Sequence, residues 1–135
     1  MAFLKADDVH HDWAVDVFAR LRPPLLTCES VLTEAVYLLR RLTKGPTGVL
    51  ELVRRGTVKV LFNLTDEVDA VSTLITRYGS GRMDLADACL VRMSELHTDS
   101  SVLTVDSAFR DIYRRHGRKT IPTLLPAGTR RRIRT

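Results

Sequence analysis

The segment RMDLADACL, residues 82–90, gives the clearest local signal in this chain and is the starting point for predicting its fold. It places Asp84 and Asp87 three residues apart at the start of a predicted helix. The dipole and the unpaired N–H groups of a first helical turn favour carboxylates, so a structural cap explains one aspartate but not readily both. Asp87 also lies among apolar positions, where an unpaired charge would be costly. We therefore expect another part of the chain to supply a partner for Asp87.

Predicted helices and strands alternate along the rest of the chain. The predicted helices cover residues 9–21, 30–42, 47–55, 65–78 and 106–117, together with the helix that starts near Asp84, and the predicted strands cover residues 25–27, 58–64, 102–105 and 119–125. This alternation predicts an α/β fold, a three-layer α/β/α sandwich around a parallel sheet. The last strand contains Pro122, which cannot donate a ladder hydrogen bond, and we therefore place it at a sheet edge.

The composition of the chain is that of one domain with a short basic tail. The 135 residues contain 44% hydrophobic residues, with no apolar run as long as a membrane span and no secretory leader, so we expect a cytoplasmic protein without membrane contact. The two cysteines have no metal-binding spacing and are predicted to be buried free thiols. We assign residues 1–126 to the domain and residues 127–135 to the tail.

Charge is concentrated near the C-terminus. Residues 110–135 contain nine Lys or Arg and one acid, a net charge of +8, whereas the whole chain carries +5. The segment TRRRIRT, residues 129–135, contains Arg130, Arg131 and Arg132 and is typical of an arm that contacts phosphates without reading base sequence. A solvated terminus without a ligand is the alternative interpretation.

Several acids are expected at one edge of the predicted sheet. Ligands of parallel sheets bind beyond the carboxyl ends of the strands, where Asp106 follows a strand and Glu34 lies early in the helix after another. Converging carboxylates raise one another's pKa unless a cation lies between them, and oxygen ligands favour Mg²⁺ or Mn²⁺. Arg82 and Arg110 flank these acids and could hold an RNA backbone.

Three blocks carry a family resemblance: PLLTCESVLTEAVYLLRR (24–41), RMDLADACLVRMSE (82–95) and VLTVDSAFRDIYRRHG (102–117). In this order they resemble the PIN-domain ribonucleases, especially the VapC-like toxins of bacterial toxin–antitoxin pairs, over about residues 2–125. The resemblance implies that three residues are catalytic and metal-binding, matching the second, third and fourth acids of the family: Glu34, Asp87 and Asp106. It implies an auxiliary role for Asp84 and a hydrogen-bonding role for Thr104.

The resemblance also implies an activity and partners. They are Mg²⁺-dependent RNA cleavage by metal-activated water, a protein antitoxin that covers the site, and often a toxin homodimer. In the family, a central strand ending in the first acid precedes the segment similar to AFLKADDVHHDWAV, residues 2–15, within which this chain starts. We therefore expect this strand to be missing. Either the start codon has been placed too late, or the protein is a degenerate module that binds an antitoxin or RNA without cleaving.

Overall fold

The computed structural model of this chain describes residues 16, 19–22, 24–79, 81–104, 106–125 and 128. It divides into two compact units, Met1–Leu61 and Phe62–Thr135. Each unit combines helices with a small parallel sheet, so the fold is α/β, as predicted. The predicted helix over residues 9–21 and the basic tail fall mostly or wholly outside the described residues. Among the described residues, no helix has the length and apolar character needed to cross a membrane.

The first unit contains a parallel strand pair and two helices. Its elements are β1 (Leu25–Thr27), α1 (Glu29–Leu38), α2 (Gly45–Arg54) and β2 (Val58–Val60). Parallel strands need a crossover connection, which α1 and α2 provide here, and the register places Leu25 opposite Val58. Pro46 in the first turn of α2 fits the preference of proline for helix starts. The core of this unit is small and includes Cys28, Val31, Ala35, Val49 and Val58.

The second unit is built around one buried helix. Its elements are α3 (Leu64–Tyr78), α4 (Leu85–Leu96), β3 (Val102–Leu103), α5 (Ala108–Asp111), β4 (Arg114–Arg115), β5 (Lys119–Thr120) and β6 (Thr123–Leu124). Helix α4 packs on α3 and is buried on most of its surface, which is the behaviour of a core helix. Strand β3 pairs in parallel with β6, whereas β4 and β5 form an antiparallel hairpin. Cys28 and Cys89 are buried thiols outside any disulfide, as predicted.

The predicted helix over residues 106–117 was wrong beyond Asp111. The chain ends α5 there and forms the β4–β5 hairpin, whose turn holds His116 and Gly117 at φ 51° and 73°. Positive φ is incompatible with a continuing right-handed helix, and glycine adopts it without steric cost. The predicted strand over residues 119–125 is likewise divided, since β5 pairs with β4 and β6 pairs with β3. Pro122 lies at this division, where its carbonyl oxygen accepts from the backbone N–H of Val102 at 2.8 Å.

A buried arginine fixes the hairpin to the rest of the second unit. The guanidinium of Arg115 donates to the carbonyl oxygen of Thr98 at 2.9 Å and to that of Ser100 at 2.8 Å. Both acceptors lie in the connection between α4 and β3. Because charge-assisted hydrogen bonds are stronger than neutral ones, Arg115 ties this connection to β4.

We predict that Arg115→Gln lowers the free energy of unfolding by about 2 kcal/mol, because two carbonyl groups lose buried charged donors. Urea unfolding followed by circular dichroism measures this loss. Arg118→Gln removes an exposed charge from the same hairpin and should change stability by less than about 0.5 kcal/mol. Equal losses in the two variants would show that Arg115 is not an anchor.

Candidate active site

The two aspartates of the DLADA segment form a reciprocal cap at the start of α4. The Asp84 side chain accepts a hydrogen bond from the backbone N–H of Asp87 at 2.8 Å. The Asp87 carboxylate accepts in return from the backbone N–H of Asp84 at 3.4 Å, which completes a capping box. The expectation that a cap explains only one aspartate was therefore wrong. The box also fixes the positions of both carboxylates.

The partner that Asp87 needs is Tyr113, which follows α5. The Tyr113 hydroxyl oxygen lies 3.2 Å from Asp87 Oδ2 and 3.1 Å from the carbonyl oxygen of Arg82. Both neighbours are acceptors, and a phenol carries one proton, so these acceptors compete for the same donor. The buried Tyr113 ring makes edge-to-face contacts with Tyr78 and Phe109, each with centroids 5.1 Å apart. These contacts fix the hydroxyl beside Asp87.

Sequence reasoning did not identify Tyr113 as a site residue. It lies 26 residues after Asp87 and falls inside the segment that was predicted to be helical. One signal was available, because a buried tyrosine usually finds a hydrogen-bond partner for its hydroxyl. That signal could indicate that Tyr113 needs a partner, but not which acid it meets.

The surroundings of Asp87 oppose its ionisation. Burial raises the pKa of Asp87, and the negative charges of Asp84 and Asp106 raise it further. Hydrogen bonds from the Asp84 backbone and from Tyr113 lower it in part, so that the pKa is about 6 instead of 3.8. Burial and the charge of Asp87 also raise the pKa of Tyr113 above its ordinary 10, so the phenol remains a donor. The Asp87 carboxylate thus ionises close to neutral pH in a cluster that a cation would stabilise.

Asp106 is held at the end of β3 by hydrogen bonds to its neighbours. Its backbone N–H donates to the hydroxyl of Thr104 at 2.9 Å, and its side chain accepts from the backbone N–H of Ala108 at 2.9 Å. These bonds form the turn from β3 into α5. Asp106 raises the pKa of Asp87, so the two carboxylates lie within electrostatic range of each other.

The third predicted acid, Glu34, belongs to the other unit. It is exposed on α1, whereas Asp87 and Asp106 belong to the second unit, so a common metal site for the three acids stays a prediction. Within the described part of the chain, no group of three or more His, Cys, Asp or Glu residues is arranged to hold a metal ion.

The predicted RNA-contacting arginines have different environments. Arg82 is exposed, and its carbonyl oxygen lies 3.1 Å from the Tyr113 hydroxyl oxygen. The guanidinium of Arg110 pairs with both carboxylate oxygens of Asp111 at 2.8 and 3.0 Å. Arg130, Arg131 and Arg132 lie outside the described residues. The role of all five arginines in RNA binding stays a prediction.

A comparison with known protein families identifies the family of this chain. The family model described as PIN domain matches residues 1–115, which include the capping box, Asp106 and Tyr113. The chain belongs to the PIN domain family. PIN domains are generally nucleases that act on RNA and use divalent metal ions. A comparison with curated proteins gave no match.

The acids of this PIN domain suit a divalent cation in their chemistry. Asp84, Asp87 and Asp106 offer carboxylate oxygens, which are the ligands that Mg²⁺ and Mn²⁺ prefer. The raised pKa of Asp87 adds a second argument, because a cation beside it would offset the charges of Asp84 and Asp106. The chemistry of these donors therefore suits the divalent metal that the family implies, although no three of the described acids are arranged to hold it.

We predict that Asp87→Asn stabilises the metal-free protein above pH 6. The raised pKa means that the folded chain binds this proton more tightly than the unfolded chain does. The contribution of Asp87 to stability is therefore full below about pH 4 and is lost as the pH rises through about 6. After allowance for solvent screening, we expect Asp87→Asn to gain about 1 kcal/mol at about pH 8 and little near pH 4.

Urea unfolding at the two pH values in a chelating buffer measures this gain. Asp69→Asn, at an exposed position of α3, is the matched control and should behave like the unmodified chain at both. A loss of stability in Asp87→Asn at the higher pH would mean that the charged form of Asp87 stabilises the fold.

Proposed function

We propose that this PIN domain is a Mg²⁺-dependent endoribonuclease, the VapC-like toxin of a toxin–antitoxin pair, and that it hydrolyses RNA phosphodiester bonds with water. One observation carries this proposal: the capping box holds the carboxylates of Asp84 and Asp87 against each other, and burial together with the charges of Asp84 and Asp106 raises the pKa of Asp87 to about 6. Such a cluster is costly to maintain in a fold that does not use it. In a family of nucleases, a cation and a phosphodiester are the ligands that would use it.

Asp87 and Asp106 would hold the metal in this proposal, with Glu34 as a third ligand. Mg²⁺ is the expected ion and Mn²⁺ the alternative, because both accept carboxylate oxygens. When bound, such an ion supplies Lewis acidity that stabilises the charge developing on a phosphodiester during hydrolysis. Asp84 is assigned an auxiliary role, since its side chain is already used as the α4 cap.

The protein contributes fixed orientation around these acids. The Tyr113 hydroxyl holds Oδ2 of Asp87, the capping box holds Asp84, and the turn after β3 holds Asp106. Supporting hydrogen bonds keep such side chains in a productive geometry, so that little free energy is needed to rearrange them in each catalytic cycle. Asp87 must lose its proton before it can bind a cation, so we expect activity to rise with pH through the region near 6 at limiting metal.

The proposed partners are RNA, a cognate antitoxin protein and a second copy of the chain. Exposed apolar side chains on the first unit support protein contacts, because their burial would be favourable: Tyr37, Leu38, Leu42 and Leu50. Arg82, Arg110 and the basic tail are proposed to hold the RNA backbone. The cytoplasm is the proposed location.

The first test is cleavage of a fluorescent single-stranded RNA. We predict Mg²⁺-dependent cleavage that stops with a chelator and falls at least about 100-fold in Asp87→Asn, because loss of even a residue that supports a metal ligand costs about 10- to 100-fold. Asp69→Asn should retain the rate of the unmodified chain. Undiminished cleavage by Asp87→Asn would rule out this site. Metal-independent RNA binding without cleavage by any variant would instead identify a degenerate binding module.

The second test concerns the basic tail. We predict that deletion of residues 129–135 weakens binding to all single-stranded RNAs to the same extent and reduces the salt dependence of binding, because the tail contacts phosphates. Fluorescence anisotropy over a salt series measures both effects. A deletion that changes only which sequence is cut would show that the tail reads bases.

A further inference from the structure

A second cationic surface lies on the β4–β5 hairpin, apart from the arginines that the sequence predicts to bind RNA. It consists of Arg118 and Lys119 on the hairpin and Arg77 in the last turn of α3, and we call it the basic hairpin face. All three side chains are exposed. Among the described residues, none of them has a side-chain hydrogen bond or ion pair, so their charges are available to a ligand.

The hairpin gives this face a fixed shape. Register places Arg114 opposite Thr120 and Arg115 opposite Lys119, and the backbone N–H of Arg118 closes the turn on the carbonyl oxygen of Arg115 at 3.0 Å. The two arginines of β4 bind backbone carbonyl groups: the side chain of Arg114 donates to the carbonyl oxygen of Tyr113 at 2.8 Å, and Arg115 holds the carbonyl groups described above. The exposed Arg118 and Lys119 therefore lie on a hairpin that Arg115 fixes to the rest of the unit.

Arg77 belongs to the same face because it lies against the turn. A Cβ atom built on Gly117 would lie only 3.2 Å from a guanidinium nitrogen of Arg77. Glycine therefore lets the cation at the end of α3 approach the hairpin closely. Glu95 lies beside the turn, where it accepts from the backbone N–H of His116 at 2.6 Å and pairs with Arg92. Its charge is offset locally.

We propose that the basic hairpin face binds the phosphate backbone of single-stranded RNA. Three cations from two elements meet at an anchored turn, and the guanidinium forks among them match phosphate oxygens in shape and charge. The three side chains that define the face carry no aromatic ring for base stacking, so we expect binding without preference for sequence. The choice of RNA as the ligand rests on the proposed nuclease function.

Binding of a fluorescein-labelled oligouridine, measured by anisotropy in a chelating buffer, tests this proposal without cleavage. The triple variant Arg77→Gln, Arg118→Gln, Lys119→Gln should lower the slope of log affinity against log salt by about 2, since each phosphate contact contributes about 0.7 for single strands. Its affinity at about 0.1 M salt should fall about tenfold or more. Arg77→Lys with Arg118→Lys keeps the charge and should retain most of the slope.

The matched control removes three exposed cations from the first unit: Arg41→Gln, Lys44→Gln and Lys59→Gln. It changes the net charge equally and should leave the slope nearly unchanged. Equal effects of the two triple variants would overturn the proposal, because net charge alone would then explain binding. An unchanged slope in the hairpin variant, with binding to a polyglutamate peptide lost, would overturn it in favour of an acidic protein partner.

Failure of this proposal is distinguishable from failure of the nuclease proposal. If the chain cleaves RNA with Mg²⁺ while the hairpin variant binds oligouridine normally, only the assignment of the basic hairpin face is wrong. If the chain neither binds nor cleaves RNA, both proposals are wrong.

Discussion

The hydrogen bond between Tyr113 and Asp87 is the interaction on which the candidate site depends. Asp87 is partly buried, close enough to Asp84 and Asp106 for their charges to oppose its own, and the phenol is its side-chain donor. The bond also joins the start of α4 to the segment after α5, so it brings the central helix and the C-terminal part of the second unit together. Tyr78 and Phe109 support the ring from two directions. The Tyr113 side chain therefore contributes both to the electrostatics of the site and to the packing of the second unit.

Local patterns carried enough information to predict helices α1 to α4, but not the end of α5. The start of α4 was predictable because aspartates in a first turn have a physical cause, and α3 because Asn63 and two acids mark its start. The α/β class followed from the alternation of elements. The identity of the residue that pairs with Asp87 was not predictable in this way. Asp87 could be predicted to need a donor, but Tyr113 reaches it only because the chain leaves the helix after Asp111.

The β4–β5 hairpin shows why that reversal escaped sequence reasoning. Residues 106–117 end in a glycine and have helical spacing, so they favour a helix with an ordinary C-terminal stop. The observed hairpin is stabilised instead by contacts that are distant in sequence: Arg115 with Thr98 and Ser100, and Gly117 with Arg77. His116 adopts a positive φ, which its residue type does not predict. Long-range contacts here override local preference.

The basic residues of the β4–β5 hairpin have two separate roles, and residues in one role can be substituted without affecting the other. Arg114 and Arg115 satisfy backbone carbonyl groups inside the unit, whereas Arg118 and Lys119, only a few positions later, face solvent. Exchange of the outer pair leaves every anchoring hydrogen bond in place. Substitution of the outer pair should therefore cost little stability, whereas substitution of the inner pair removes hydrogen bonds of the fold. Arginines of equal appearance in the sequence RRHGRK thus make unequal contributions to the stability of the fold.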